Sequence, residues 1–135
     1  MKDNQLWLEY INSCIDYYEN SKYIFVHGWI PCKKILSGKD LFERYHYVYR
    51  FDSNWRSGNW EDARWLNGMD CWNKGIRVKN KTILCGHWHS SWGNCILHRD
   101  GPEFPQNNTE DYGKWNYHEF KDEGIICLDA CTVLS

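Results

Sequence analysis

The sequence predicts an α+β fold, in which a small β-sheet carries two or three flanking helices within a single domain over residues 1–135. Three short runs rich in apolar and β-branched residues have the composition of strands: residues 23–27, 81–85 and 124–129. Two longer segments place apolar side chains at helical spacing. A chain of 135 residues is long enough for one hydrophobic core, and a second independent core is not expected.

The first half of the chain contains a long predicted helix, a strand and a second, short helix. Apolar side chains recur every three or four residues over residues 3–20, at Leu8, Ile11, Ile15 and Tyr18. This spacing predicts an amphipathic helix. A strand over residues 23–27 then stops at Gly28. We expect a short helix over residues 40–49 and a polar loop over residues 52–58.

A further helix is predicted over residues 61–74. Trp65, Met69 and Trp72 lie at helical spacing within it. Acidic residues in its first turn favour the positive end of the helix dipole, and Gly75 is a typical stop signal.

The last third of the chain is predicted to contain two strands separated by irregular structure. The strand at residues 81–85 leads into a histidine-bearing turn, and residues 90–93 are expected to form a loop. Residues 99–117 hold two of the three prolines and many polar side chains, so we predict an irregular excursion there. The final strand covers residues 124–129.

Composition narrows the classes of function. The net charge is −2 and no run of Lys or Arg exceeds two residues, which disfavours direct binding to nucleic acid. No apolar run reaches the length of a signal peptide or a membrane span. The seven cysteines are odd in number and include no Cys-x-x-Cys, so we expect a reducing, cytoplasmic location with most thiols buried as small apolar groups.

Three histidines follow predicted strands and are the candidate metal ligands. His87 and His89 come just after one strand, and His27 ends another. Neutral imidazoles at the ends of neighbouring strands can converge on zinc, with manganese or iron as alternatives. Spacing alone is equally explained by polar loop residues. His46, His98 and His118 have no partner at ligand spacing and are excluded from the predicted site.

The fourth ligand is open between two thiols and two carboxylates. Cys85 lies two residues before His87 and completes the predicted set of His27, His87, His89 and Cys85. Its alternatives are Cys32, Asp70 and Asp129.

Four segments carry motifs in a distinctive order: Phe25-Val26-His27-Gly28, Ala63-Arg64-Trp65-Leu66-Asn67-Gly68-Met69, Cys85-Gly86-His87-Trp88-His89 and Gly124-Ile125-Ile126-Cys127-Leu128-Asp129. Their order and approximate spacing resemble the later motifs of calcineurin-like metallophosphoesterases, within a bacterial and phage subgroup similar to serine/threonine phosphatases. The resemblance implies a truncated half sandwich, equivalent to the C-terminal half of such an enzyme. It also implies that His27 and His87 bind one metal and His89 a second.

The family's earlier motifs do not occur in this chain. Asp-x-His, Gly-Asp-x-x-Asp and Gly-Asn-His are all missing, and the aspartate of the second motif is the one that bridges two metals in the family. Two-metal catalysis needs a clamp on both the attacking and the leaving oxygen. We therefore expect no catalytic residues and no ordinary phosphatase activity.

The leading functional hypothesis is a zinc-binding, non-catalytic protein that acts by binding another protein. One specific form is a phage-encoded inhibitor of a host defence nuclease, such as an anti-CRISPR protein against a Cas9-type enzyme. The alternative is a phosphoesterase fragment, active with a complementary N-terminal half or weakly at a single metal. A decayed gene fragment is the third hypothesis.

Loss of half a sandwich would expose sheet surface, which favours a protein partner or a homodimer. Six tryptophans are candidate interface anchors, each explained at least as well by core packing: Trp29, Trp55, Trp60, Trp88, Trp92 and Trp115. No membrane contact is expected.

Overall fold

The computed structural model describes residues 2–40, 44–98 and 119–129, and their arrangement confirms the predicted α+β class. Seven strands are present in these ranges: β1 (Tyr17–Glu19), β2 (Tyr23–Val26), β3 (Cys32–Lys39), β4 (Tyr45–Phe51), β5 (Thr82–Cys85), β6 (Phe120–Asp122) and β7 (Ile125–Cys127). The α-helices are α1 (Lys2–Ser13), α2 (Trp60–Ala63), α3 (Gly68–Asn73) and α4 (Ser90–Trp92). A 3₁₀ turn covers Trp55–Ser57 and a π-helix covers Gly93–Leu97.

Five strands form one mixed sheet in the order β1-β2-β5-β7-β6. Its three central strands β2, β5 and β7 are parallel, whereas the two edge strands pair antiparallel to their neighbours. Strands β3 and β4 form a separate antiparallel hairpin. The carboxyl ends of the three parallel strands therefore lie side by side at one edge of the five-stranded sheet.

One face of this sheet builds the core. Ile24, Ile83 and Ile125 are register neighbours on adjacent strands, and all three are fully buried. The residues from outside the three central strands that pack with them include Trp29, Trp55, Met69, Trp72 and Phe120. On the alternate positions, Phe25 is exposed and Leu84 is half-buried. The period-two alternation of burial thus separates a covered face from an open one.

The predicted helix over residues 3–20 is wrong in its second half. Helix α1 ends at Ser13, and Tyr17–Glu19 instead forms edge strand β1 beside β2. The ring of Tyr17 stacks on Trp60 with 4.8 Å between centroids and meets the edge of Trp55 at 5.2 Å. Strand pairing and aromatic packing, which are tertiary contacts, override the helical spacing of the sequence.

The predicted helix over residues 40–49 is also wrong. Residues Tyr45–Phe51 form strand β4, paired with β3 from Cys32 opposite Phe51 to Lys39 opposite Tyr45, while residues 41–43 lie outside the described ranges. Aromatic residues alternate with other types along β4, and this period of two belongs to a strand.

The predicted helix over residues 61–74 is divided into two. Asn59 caps α2 by accepting the N–H of Asp62, and Asn67 caps α3 by accepting the N–H of Asp70, both at 3.1 Å. The second cap starts a new helix in the middle of the predicted one. Gly75, with φ of 78°, ends the helical segment as predicted.

The last third of the chain contains both predicted strands, now β5 and β7. Residues 90–93 are helical where a loop was predicted, and β6 was not anticipated. The predicted excursion at residues 99–117 lies outside the described ranges.

Candidate metal centre

Three polar side chains follow the three parallel strands at their shared edge. His27 comes directly after β2, His87 lies two residues beyond β5, and Asp129 lies two residues beyond β7. The Gly86 N–H donates to the carbonyl of His27 at 2.8 Å, and the Leu128 N–H donates to that of Cys85 at 2.9 Å. These bonds continue the sheet into the loops, and crevices at such strand ends commonly bind ligands in α/β sheets.

A tight turn sets the direction of His87. The N–H of Trp88 donates to the carbonyl of Gly86 at 2.8 Å, which closes a three-residue γ-turn around His87. His87 has a φ of 66°, in the left-handed region that a non-glycine residue rarely adopts. A γ-turn of this hand is strained by about 1–3 kcal/mol, and such strain clusters at functional sites.

The imidazoles of His27 and His87 lie together. Their ring centroids are 5.0 Å apart and the rings are inclined by 53°. Two imidazoles bound through nitrogen to one tetrahedral zinc would have centroids about 5 Å apart, given Zn–N bonds near 2.0–2.1 Å. The separation of this pair therefore fits two ligands of a single zinc ion.

The protonation of His87 also suits a metal ligand. Burial lowers the pKa of its imidazole, and the nearby His27 ring lowers it further, while Asp129 acts in the opposite direction. A lowered pKa favours the neutral ring at pH 7, and only a neutral ring offers a lone pair to a metal.

His89 has a different role in the structure. Its Nδ1 accepts the backbone N–H of Ser91 at 3.0 Å, which caps helix α4. An imidazole that accepts at Nδ1 carries its proton on Nε2 when neutral, so neither nitrogen then offers a lone pair to zinc. This conformation does not bring His89 into the pair formed by His27 and His87.

Cys85 points into the core. It is 5% exposed and pairs in register with Cys127 on β7. Contact with the Cys127 thiol and burial raise the pKa of Cys85 well above its ordinary value. Zinc binds the thiolate, so a thiol held in its protonated form is a poor ligand.

The alternative fourth ligands are divided between the core, a helix and the site. Cys32 donates its thiol to the carbonyl of Ile30 at 3.2 Å, and Asp70 of α3 pairs with Lys74, the C-cap of that helix. Asp129 is the alternative that lies at the same sheet edge as the histidine pair. Within the described ranges, no three His, Cys, Asp or Glu side chains are grouped closely enough to share a metal.

Trp65 covers the pair and was not among the candidate anchors. Its ring lies 5.2 Å from that of His87 and 6.2 Å from that of His27, edge-on in both cases, and 61% of the residue is exposed. It follows the short helix α2, and its exposure depends on the break between α2 and α3. The helical spacing of the sequence grouped it with Met69 and Trp72, which are buried.

The proposed tryptophan anchors are mostly core residues. Trp29 and Trp55 are buried, and Trp60 and Trp92 are half-buried against the core. Trp88, beside His87, is exposed, and Trp115 lies outside the described ranges.

A shallow depression of about 320 Å³ lies at the same edge. Phe25, His27, Gly86 and Leu128 contribute to its walls, and the side chains of Phe25 and Leu128 are exposed. A histidine pair thus lies beside apolar surface that nothing in the described ranges covers.

No family model, curated protein or solved structure matches the chain. The resemblance to metallophosphoesterases therefore stays a prediction. No helix in the described part of the chain combines the length and the apolar character that crossing a membrane requires.

Proposed function

We propose that this chain is a zinc-binding, non-catalytic protein that acts by binding another protein. The observation that carries the proposal is the His27–His87 pair, held at a strained γ-turn with centroids 5.0 Å apart. The two histidines supply two ligands, and the exposed surface around them supplies the protein contact.

The surroundings of the pair support a protein partner. Trp65, Trp88 and Leu128 are each at least 41% exposed and lie around the two histidines or on the neighbouring strand end. Protein interfaces are enriched in exposed aromatic residues, and their energy is concentrated in a few large anchors. A zinc ion held by two histidines has two further positions, which side chains of a partner can fill.

The chain's own residues do not favour catalysis. The sequence has no Asp-x-His, Gly-Asp-x-x-Asp or Gly-Asn-His motif, so no aspartate at the family's bridging position is supplied. His27 and His87 would bind the metal and orient it toward the open edge of the sheet.

Isothermal titration of the purified protein with zinc tests the site. We expect about one zinc per chain, and at least tenfold weaker binding after His27→Ala and His87→Ala together. His46→Ala is the matched control, because His46 lies on the β3–β4 hairpin, beside Asp40. Equal zinc binding by the double variant would overturn the metal proposal.

Binding to purified partners tests the second half of the proposal. We expect a Cas9-type nuclease, as the representative host defence enzyme, to bind the zinc-loaded protein and to lose DNA cleavage activity. Chelation and the double histidine variant should both remove the effect. Zinc-dependent self-association, measured by light scattering, would replace this partner with a second copy of the chain. Absence of both interactions would contradict the proposed mode of action.

One observation favours the phosphoesterase alternative. The histidine pair lies at the carboxyl edge of parallel strands, where ligand and catalytic sites of open α/β sheets occur. Hydrolysis of bis-p-nitrophenyl phosphate with zinc or manganese, lost after His87→Ala, would support it. Inactivity with both metals would remove the single-metal form.

A further inference from the structure

The β3–β4 hairpin concentrates positive charge in a chain that is negative overall. Residues 32–51 contain five Lys or Arg and two Asp or Glu, whereas the whole chain has a net charge of −2. The cations are spread along the sequence in runs of at most two, so the sequence pattern disfavoured nucleic-acid binding. Antiparallel pairing of the two strands brings these separated cations onto one element.

One face of the hairpin is aromatic. Alternate residues of β4 lie on the same face of the ribbon, and these are Tyr45, Tyr47, Tyr49 and Phe51. Tyr49 packs against the core and anchors the hairpin. Tyr45, Tyr47 and Phe51 are between 41% and 56% exposed. The rings of Tyr45 and Tyr47 have centroids 6.5 Å apart.

A bulge puts two lysines on this aromatic face. The register of β3 shifts by one residue between Leu36 and Gly38, which reverses the side-chain alternation beyond that point. Lys34 and Lys39 are five residues apart, and without the bulge they would lie on opposite faces. With it, the Lys34 ammonium lies 4.4 Å from the Tyr47 ring centroid. That of Lys39 lies 4.8 Å from the Tyr45 centroid.

The opposite face carries a like-charge pair. Lys33 and Arg50 are directly opposite each other in the register. Like charges at this position destabilise a strand pair. No described acid forms an ion pair with either side chain, nor with Lys34 or Lys39. With five cations and two acids, residues 32–51 carry a formal charge of +3, and the Lys33–Arg50 pair is held at some cost to the stability of the hairpin.

We propose that the aromatic face of the β3–β4 hairpin binds single-stranded nucleic acid. Bases stack on the exposed rings of Tyr45 and Tyr47, and the phosphates contact Lys34 and Lys39. Sites for single strands combine cations along the backbone with aromatic rings under the bases. An acidic protein would satisfy the charge, but protein interfaces are depleted in lysine, and three of the five cations here are lysines. The observations therefore favour a nucleic acid.

Fluorescence anisotropy with labelled dT15, on the full chain with chelator present, tests the proposal independently of zinc. We expect salt-sensitive binding that falls at least tenfold when Tyr45→Thr and Tyr47→Thr are combined. A tenfold loss is about 1.4 kcal/mol, which is within what a single stacked base contributes. The paired Tyr45→Phe and Tyr47→Phe variant keeps both rings and should bind like the wild type.

A charge series separates phosphate contacts from general attraction. The Lys34→Gln and Lys39→Gln pair should lower the slope of log affinity against log salt by about 1.4, at about 0.7 per lost phosphate contact. The control pair Lys22→Gln and Lys79→Gln removes the same amount of charge. Lys22 and Lys79 lie before the amino ends of β2 and β5, outside the hairpin, so their loss should leave binding nearly unchanged.

Three outcomes would overturn the proposal. They are absence of dT15 binding at low salt, binding that is insensitive to loss of the two rings, and an equal affinity for polyglutamate. The last result would assign the hairpin to an acidic protein. Circular dichroism of each variant checks that the fold is retained.

Discussion

The five-stranded sheet and the β3–β4 hairpin use aromatic residues in opposite ways. Around the sheet, Trp29, Trp55 and Phe120 are at most 1% exposed and fill the core. On the hairpin, Tyr45 and Tyr47 are 56% and 44% exposed. The large aromatic fraction of the sequence therefore serves two purposes, since one set of rings stabilises the fold and the other forms surface.

This contrast separates stability from binding. The five-stranded sheet and the helices and loops packed on it contain nearly all of the buried apolar residues of the described ranges. Substitutions there should therefore change the free energy of unfolding. The hairpin joins the core through Cys32 and Tyr49, and most of its other side chains face solvent. Substitutions on its exposed face should alter binding and leave stability almost unchanged.

Replacing Trp29 by alanine should have the largest effect. Its side chain is fully buried, and its Nε1 donates to the carbonyl of Ile76 at 3.2 Å. We expect Trp29→Ala to lower the free energy of unfolding by about 3–5 kcal/mol in urea denaturation. Tyr45→Ala on the hairpin should cost less than about 1 kcal/mol. Equal losses from the two variants would remove the distinction between the regions.

Adding one methyl group beside the histidine pair should have the next largest effect. A Cβ at Gly28 would lie 2.5 Å from the backbone carbonyl oxygen of Arg64, which cannot move aside easily. Gly28→Ala should therefore cost about 1–3 kcal/mol. Gly86→Ala is the matched control, since its nearest contact is the His27 carbonyl oxygen at 3.8 Å. If thermal unfolding showed both variants to be equally stable, the close packing of α2 on this loop would be refuted.

The edge strand β1 is held by an ion pair whose contribution depends on pH. Arg56 binds both carboxylate oxygens of Glu19, at 2.7 and 2.8 Å. Hydrogen bonding from Arg56, and also from Lys81, lowers the pKa of Glu19 from 4.5 to about 2. Because the folded-state pKa is the lower one, this stabilisation is complete above pH 4.5 and is lost as the pH falls toward 2.

Glu19→Gln should therefore lower stability by about 1 kcal/mol at pH 7, as expected for a surface pair with good geometry. The difference from wild type should shrink between pH 4.5 and pH 2. Urea denaturation at pH 7, 4 and 3 measures it, and a difference that stays constant over this range would show that the carboxylate charge is not involved.

The smallest expected effect is a gain in stability on the hairpin. Lys33→Glu converts the like-charge pair with Arg50 into an opposite-charge pair and should stabilise the protein by about 0.2–1 kcal/mol. The gain should fall in 1 M salt because the pair is exposed. Lys33→Gln should give an intermediate value. A loss of stability would mean that Lys33 has a structural partner.

Short-range sequence patterns predicted the three central strands of the sheet, because strand signals in the core are strong. The runs at residues 23–27, 81–85 and 124–129 became β2, β5 and β7, and their shared direction brought His27 and His87 together. The hairpin was missed although its alternation of tyrosines is a strand pattern. Helical spacing in residues 3–20 was equally misleading, because β1 is formed by antiparallel pairing with β2, a contact that helical spacing does not show.

The details of the site were beyond sequence reasoning. His87 and His89 are separated by one residue in the sequence. That spacing does not show that a γ-turn directs His87 to the pair while His89 caps a helix. Cys85 shares strand β5 with core residues and lies opposite Cys127 of β7. Its burial depends on this register, which sequence spacing does not show. The exposure of Trp65 required the break at Asn67, whose side chain caps α3.

The most direct test of the central claim is a zinc titration followed by NMR of the histidine side-chain nitrogens. One equivalent of zinc should shift the ring signals of His27 and His87 together and leave those of His46 and His98 in place. Zinc binding without a change at His27 and His87, or no binding at all, would contradict a metal site at the carboxyl edge of the sheet.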